Sequence, residues 1–289
     1  MTIRRRFGRI AVLGAAGLLA LAAATGVASA ATQSSAAPDS APAGLLGFYH
    51  GSPNISAAAA SDLVYHGGFI QENPQIFLVF WGKQWTSDKN GVQSYLTKFF
   101  QGLGQSNDAW SRVTSQYTGR GLHPTFTGSV LKGTFVDSAA NAPTNMSATA
   151  IANEAKKGAS HFKVSGHNVN IIVVAPHGTH PDGFPNAGFC AYHDSTGGLP
   201  YTNMPYVLDA GTSCGQNSVG GKLDGFSIVA GHEYLEAVTD PIPPSGWVAR
   251  NGEENADLCA WKNLHKITLN TGSFAVQPTY SNKVHGCAG

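Results

Sequence analysis

One segment of the chain, Ser227–Asp240 (SIVAGHEYLEAVTD), combines residue types that do chemistry at a spacing that brings them together. It contains His232-Glu233-Tyr234-Leu235-Glu236, an H-E-x-x-E pattern. On a helix, residues four apart lie about 40° apart around the axis, so the His232 imidazole and the Glu236 carboxylate project to one side. Ile228, Val229 and Leu235 share that side, which makes it a core-facing stripe. An imidazole and a carboxylate on a buried stripe must be paired or coordinated, and a metal cation does both. Two ligands do not hold a zinc ion, so a third has to come from elsewhere. Glu254 and Asp257 lie 18 and 21 residues beyond Glu236, in Gly252-Glu-Glu-Asn-Ala-Asp-Leu-Cys259. Asp257 is the expected third ligand, because Cys259 anchors its segment; Glu254 is the alternative. The expected cofactor is one divalent metal ion, zinc first. One imidazole with two carboxylates is oxygen-rich for zinc and also suits manganese.

Glu233 sits one step round the helix from His232, where the general base of H-E-x-x-H metallopeptidases sits. In that scheme the metal acidifies a bound water, and Glu233 takes the proton as the water attacks a carbonyl. The expected activity is therefore metal-dependent hydrolysis of a peptide or protein. Glutamate stands here where that signature has its second histidine. The competing expectation is a His–Glu pair in a merely structural helix. Three further histidines, His177, His180 and His193, fall in a Gly/Pro-rich region. Each is a candidate to complete the metal shell or to stabilise an oxyanion, against the plain reading of a solvated loop histidine. A nucleophile elbow is absent, since Gly225-Phe226-Ser227-Ile228-Val229 is not G-x-S-x-G. No G-x-G-x-x-G or P-loop pattern follows a strand.

The elements that would position these groups are legible in part. Ile76–Trp81 and Asn168–Ala175 are β-branched or aromatic runs, ended by Gly82 and Pro176, and read as buried strands. Val92, Tyr95, Leu96, Phe99, Phe100 and Leu103 recur at helical spacing, and residues 147–157 form a second helical stretch before Gly158. Residues 176–225 read as long loops pinned by a disulfide. A third helix spans Asp224–Val238, stopped by Asp240-Pro241, and two short strands, Lys266–Leu269 and Phe274–Gln277, flank an Asn270-Thr271-Gly272 turn. The expected class is α/β: a mixed sheet packed by helices, with a zincin-like active-site helix followed by a disulfide-pinned C-terminal region.

Residues 1–30 read as an export signal: an arginine-rich start, an apolar run from Ile10 to Ala24, and Ala28-Ser29-Ala30 as the cleavage pattern. Arg4-Arg5-Arg6-Phe7 also fits a twin-arginine signal. Residues 31–61 are Ala/Ser/Pro-rich and read as a disordered leader or pro-segment. Residues 62–289 are expected to form a single globular domain. The formal net charge of +1 sums the two parts: Arg4, Arg5, Arg6 and Arg9 are four of the 18 basic residues, and no acid precedes Asp39. Without residues 1–30, 14 basic face 17 acidic residues, a net charge of −3. That balance argues against a nucleic-acid binder, which needs clustered Lys and Arg. Six of the 17 acids fall between Glu233 and Asp257. No later apolar run approaches membrane-spanning length. The four cysteines permit three pairings, and loop closure favours Cys190–Cys214 with Cys259–Cys287, as an exported protein would carry.

The chain resembles the phosphate-induced, EXORDIUM-like family of secreted proteins. The likeness runs from Tyr65-His66-Gly67-Gly68 through Ile76–Trp85 and Gly188-Phe189-Cys190-Ala191-Tyr192-His193 to Asp224-Gly225 and His232-Glu233. It ends in Glu236, Pro241, Trp247, Glu254, Asp257 and Cys259, and covers most of residues 62–289. The chain has fewer cysteines than the family pattern. The resemblance implies an extracellular, cell-wall-associated protein without a settled catalytic activity. It supports His232, Glu233, Glu236, Glu254 and Asp257 as one unit, and it implies an alternative to the hydrolase: a non-enzymatic extracellular interaction protein whose metal or His–Glu site is structural.

Overall fold

The structure is a computed structural model that describes residues 62–289. The expected export signal over residues 1–30 and the segment over residues 31–61 lie outside the described residues. Along the chain run β1 (Gln75–Trp81), α1 (Val92–Gly102), β2 (Leu131–Asp137), α2 (Ala148–Phe162), β3 (Val169–Val174), β4 (Tyr192–Thr196), β5 (Leu199–Met204) and α3 (Asp224–Thr239). A C-terminal hairpin follows, β6 (His265–Leu269) with β7 (Gly272–Val276). The class is mixed α/β, as the alternation of patterns predicts.

Five strands form one sheet in the order β2-β1-β3-β5-β4, and only β4 is antiparallel to its neighbour. Central parallel strands covered on both faces must be apolar throughout, not alternating. Ile76–Phe80 and all of β3 are buried accordingly. The chain steps from β1 outward to β2, then crosses back over β1 to β3, so right-handed crossovers put α1 and α2 on opposite faces. On the α2 face, Phe162 meets Phe77 at 4.8 Å between ring centroids. Gly158 lies inside α2, which runs on to Phe162, four residues beyond Gly158. It is a contact point, not a stop: a Cβ there would come within 2.5 Å of Val79 Cγ2, so glycine lets the helix close on β1.

On the other face α1 and α3 lie side by side. Phe100 meets Tyr234 edge-on at 6.1 Å, and Tyr95 Oη and Ser227 Oγ share a hydrogen bond of 2.8 Å. Phe274 of β7 covers Tyr95 and Phe99, each at 5.3 Å. All sixteen residues of α3 are buried, so this helix has no solvent face.

Three strands of the sheet escape the sequence reading. Residues 176–225 are not loop throughout, since β4 and β5 form a hairpin within them. Its turn is Gly197-Gly198, with φ of +61° and +78°, as a two-residue hairpin turn of this hand requires. β2 is also absent from that reading, because it lies at a sheet edge and only its last residue, Asp137, is buried. Both cysteine pairs form as expected, Cys190–Cys214 and Cys259–Cys287. Among the described residues no helix is long and apolar enough to cross a membrane. The disulfides fit an exported protein.

Candidate metal centre

Three pieces of chain converge beside α3. The helix ends at Thr239, because Pro241 drives Asp240 out of helical geometry (φ −144°, ψ 71°). The Asp240 carboxylate then accepts the Gly246 N–H at 2.8 Å, which turns the chain back. The segment carrying Glu254 and Asp257 is clamped onto the helix by Asn255. Its amide donates to Leu235 O and to Thr239 Oγ1, both at 2.9 Å. Gln277 holds the same segment from the other side by donating to Ala256 O, and Cys259 ties it to Cys287. The third piece is β4, which delivers His193 from the sheet; His193 pairs with Thr202 of β5.

The predicted unit of His232, Glu236 and Asp257 is brought together. His232 Nε2 lies 2.8 Å from Glu236 Oε1 and 3.4 Å from Asp257 Oδ1. Glu236 Oε1 also accepts the Asp257 backbone N–H at 3.1 Å. Asp257 starts a short 3-10 turn (Asp257–Cys259). Of the two candidates for third ligand, Asp257 faces His232, whereas Glu254 faces His193, its Oε1 3.6 Å from His193 Nε2.

His193 is the one of the three extra histidines that joins the site. It is buried, with Nδ1 at 3.4 Å from Glu233 Oε2 and 3.4 Å from Glu236 Oε2. Its Nε2 lies 3.1 Å from the Asp240 carbonyl oxygen. His177 is instead an exposed partner of Asp209, and the exposed His180 bonds to Phe184 O at 3.1 Å. Neither belongs to the centre. No alternation marks His193 in the sequence: Tyr192 and His193 are both buried and Asp194, Ser195 and Thr196 half-buried, and glycines and prolines surround them.

The centre is largely closed and crowded with charge; of its named ligands only Asp257 stays partly exposed, at 11% of its side chain. His232, Glu233 and Glu236 expose none of their surface. Neither Glu233 oxygen receives a hydrogen bond among the described residues, nor do Glu236 Oε2 and Glu254 Oε1. Burial opposes the charged form of both imidazoles, but Glu254 beside His193 and Glu236 beside His232 outweigh it and hold both well above the ordinary histidine range. Burial pushes Glu233 and Glu254 up. It also raises Asp240, to about 6, with His193 opposing. Asp257 is raised by burial and then by Glu236. For Glu236 burial acts in the same sense, yet His232 and His193 on its two sides win and hold it low. A single carboxylate is thus shared by two imidazoles, while other acids crowd around it.

This chemistry suits a cation. His232, Glu236 and Asp257 offer three ligand atoms within 4.8 Å of one another, and so do His193, Glu233 and Glu236. A tetrahedral ion with bonds of about 2.1 Å spaces its ligand atoms roughly 3.4 Å apart. The fold and the site define a mixed α/β protein with a buried histidine–carboxylate centre. Comparison with protein-family models, curated proteins and solved structures finds no match for the chain.

Proposed function

We propose that the protein is an exported metal-binding protein in which a divalent cation, held by His232, Glu236 and Asp257, fastens α3 to the C-terminal segment. The role is structural, and the working surface is the outside of the domain, directed at an extracellular or cell-wall component. This is the reading that the EXORDIUM-like resemblance also favours. One observation carries it: His232, Glu233 and Glu236 have no exposed surface. Structural metal sites are closed, whereas catalytic ones keep a position open for water and substrate. Zinc is the first expectation for the ion; the oxygen-rich donor set also suits manganese.

A second reading, a zinc-dependent peptidase, is supported by the state of Glu233. Its carboxylate follows His232 directly and receives no hydrogen bond among the described residues, as a general base awaiting a water would. A bound zinc would supply an acidified water; Glu233 would take its proton. The test is metal analysis of the purified protein, beside hydrolysis of protein substrates by wild type and Glu233→Gln. Stoichiometric metal without Glu233-dependent hydrolysis is expected. Metal-free, fully folded protein would overturn both readings, and hydrolysis lost on Glu233→Gln would replace the first with the second.

A further inference from the structure

The His193 side of the centre holds an arrangement that a single cation at His232 leaves unexplained. A carbonyl oxygen cannot donate, so the 3.1 Å contact between His193 Nε2 and Asp240 O places a proton on Nε2. A cation that binds there displaces the proton that the surrounding carboxylates otherwise hold on Nδ1, and the Nδ1 lone pair then faces Glu233 Oε2 and Glu236 Oε2, both at 3.4 Å. Three acceptor atoms therefore converge in a volume closed to solvent, and neither of those two oxygens receives a hydrogen bond among the described residues. Metal-bound histidines have this form: one nitrogen on the ion, the other donating to a carbonyl that fixes the tautomer. The spacing of 3.4 Å equals the ligand-to-ligand edge of about 3.4 Å in a tetrahedral site with bonds near 2.1 Å.

Glu236 belongs to both groups, one oxygen to each. Oε1 faces His232 and Asp257, and Oε2 faces His193 and Glu233. We infer that the centre binds two divalent transition-metal cations, one between His232, Asp257 and Glu236 Oε1, the other between His193, Glu233 and Glu236 Oε2, with the Glu236 carboxylate bridging them. The inference rests on the metal-binding reading above and adds the second cation and the bridge. Charge balance favours it as well. Five carboxylates, Glu233, Glu236, Asp240, Glu254 and Asp257, surround two imidazoles. With both imidazoles neutral and all five acids ionised, as cation binding favours, one divalent cation leaves three negative charges buried, and two cations leave one. Uncompensated buried charge is costly. In this arrangement Glu233 is a ligand, which explains why a carboxylate that receives no hydrogen bond among the described residues is tolerated at zero exposure.

The test is equilibrium dialysis of the full chain against zinc, with metal and protein counted, followed by zinc X-ray absorption of the loaded protein. Two zinc ions per chain with a zinc–zinc scattering path of roughly 3.5–4 Å are expected. His193→Ala should lose one ion, His232→Ala the other, and Glu236→Gln should weaken both. One ion per chain in the wild type, unaffected by His193→Ala, would overturn the second site and leave the single-cation reading standing. Two ions without a zinc–zinc path would overturn the bridge. A folded protein that takes up no zinc would overturn this inference together with the reading on which it rests. The wild-type stoichiometry and absorption spectrum decide the matter even if a variant fails to fold.

Discussion

Stripping cations from the buried centre should lower the melting temperature by an amount that the number of seats sets. A ligand that binds only the folded state stabilises by RT ln(1 + [L]/Kd), about 2.7 kcal/mol at a hundred times Kd. For a folded region of 150–250 residues, 1 kcal/mol moves the melting temperature by roughly 2–4 °C. One filled seat at that concentration is therefore worth about 5–11 °C, and two seats about twice that. Above Kd, each tenfold rise in free cation adds about 1.4 kcal/mol per seat, or roughly 3–5 °C per decade. The slope counts seats without needing the affinity. The assay is differential scanning calorimetry in chelator-buffered zinc or manganese, across four decades of free ion at fixed pH. Because the imidazole ligands must be neutral to bind, the free-ion concentration at which the melting temperature starts to climb should rise as the buffer is made more acidic, with the slope above it unchanged. A melting temperature that stays constant over the whole series, in both metals, would refute the claim that cations hold α3 against the segment around Asp257.

Three further outcomes follow from the same geometry. Asn255→Ala removes two buried hydrogen bonds from the clamp on α3, so urea denaturation should show a loss of about 1–3 kcal/mol, and dialysis should show weaker zinc binding; unchanged binding would mean the clamp does not position Asp257. Replacing Cys259 and Cys287 by serine opens a loop with a sequence separation of 28 and should cost about 3–4 kcal/mol in the chain-entropy account, read in the same denaturation experiment. Glu154, raised to about 7 by burial and by its neighbour Asp137, binds more protons in the folded than in the unfolded state between about 4.5 and 7. Its contribution is thus fully present below pH 4.5 and is lost as the pH rises through about 7. Glu154→Gln should remove that loss, so the gap in stability between pH 5 and pH 8 narrows; parallel curves for wild type and variant would contradict the assignment.

The candidate site was legible in the sequence to the extent that one helix and one short segment carry it. Helical spacing alone places His232 and Glu236 on the same side, and apolar neighbours announce their burial. Asp257 was reachable because Cys259 marks its segment as anchored. The continuous apolar runs of β1 and β3 and the helical spacing of apolar residues in α1 were legible for the same reason: a local pattern reports whether both faces or one are covered. Gly158 shows the limit of such reading. Whether a glycine stops a helix or lets it approach a strand depends on Val79, which is 79 residues away in sequence.

Residue types and their local spacing set the chemistry available: imidazoles and a run of carboxylates around one helix, cysteines in a number that pairs, and an alternation of strand and helix patterns. Which of these groups meet is settled by packing. His193 lies 39 residues before His232, in a stretch whose glycines and prolines read as loop, and no periodicity links the two. The β4–β5 hairpin carries it to the edge of the sheet, where α3 packs. The choice of Asp257 over Glu254 for His232 was likewise made by the Asn255 clamp and the turn that follows it. Closure was decided there too. A helix pattern predicts one buried stripe, but α3 is enclosed on every side by elements remote in sequence, and that enclosure leaves Glu233 without access to solvent. Coordination and burial are properties of distance in space, and a sequence specifies them only through the packing of the whole chain.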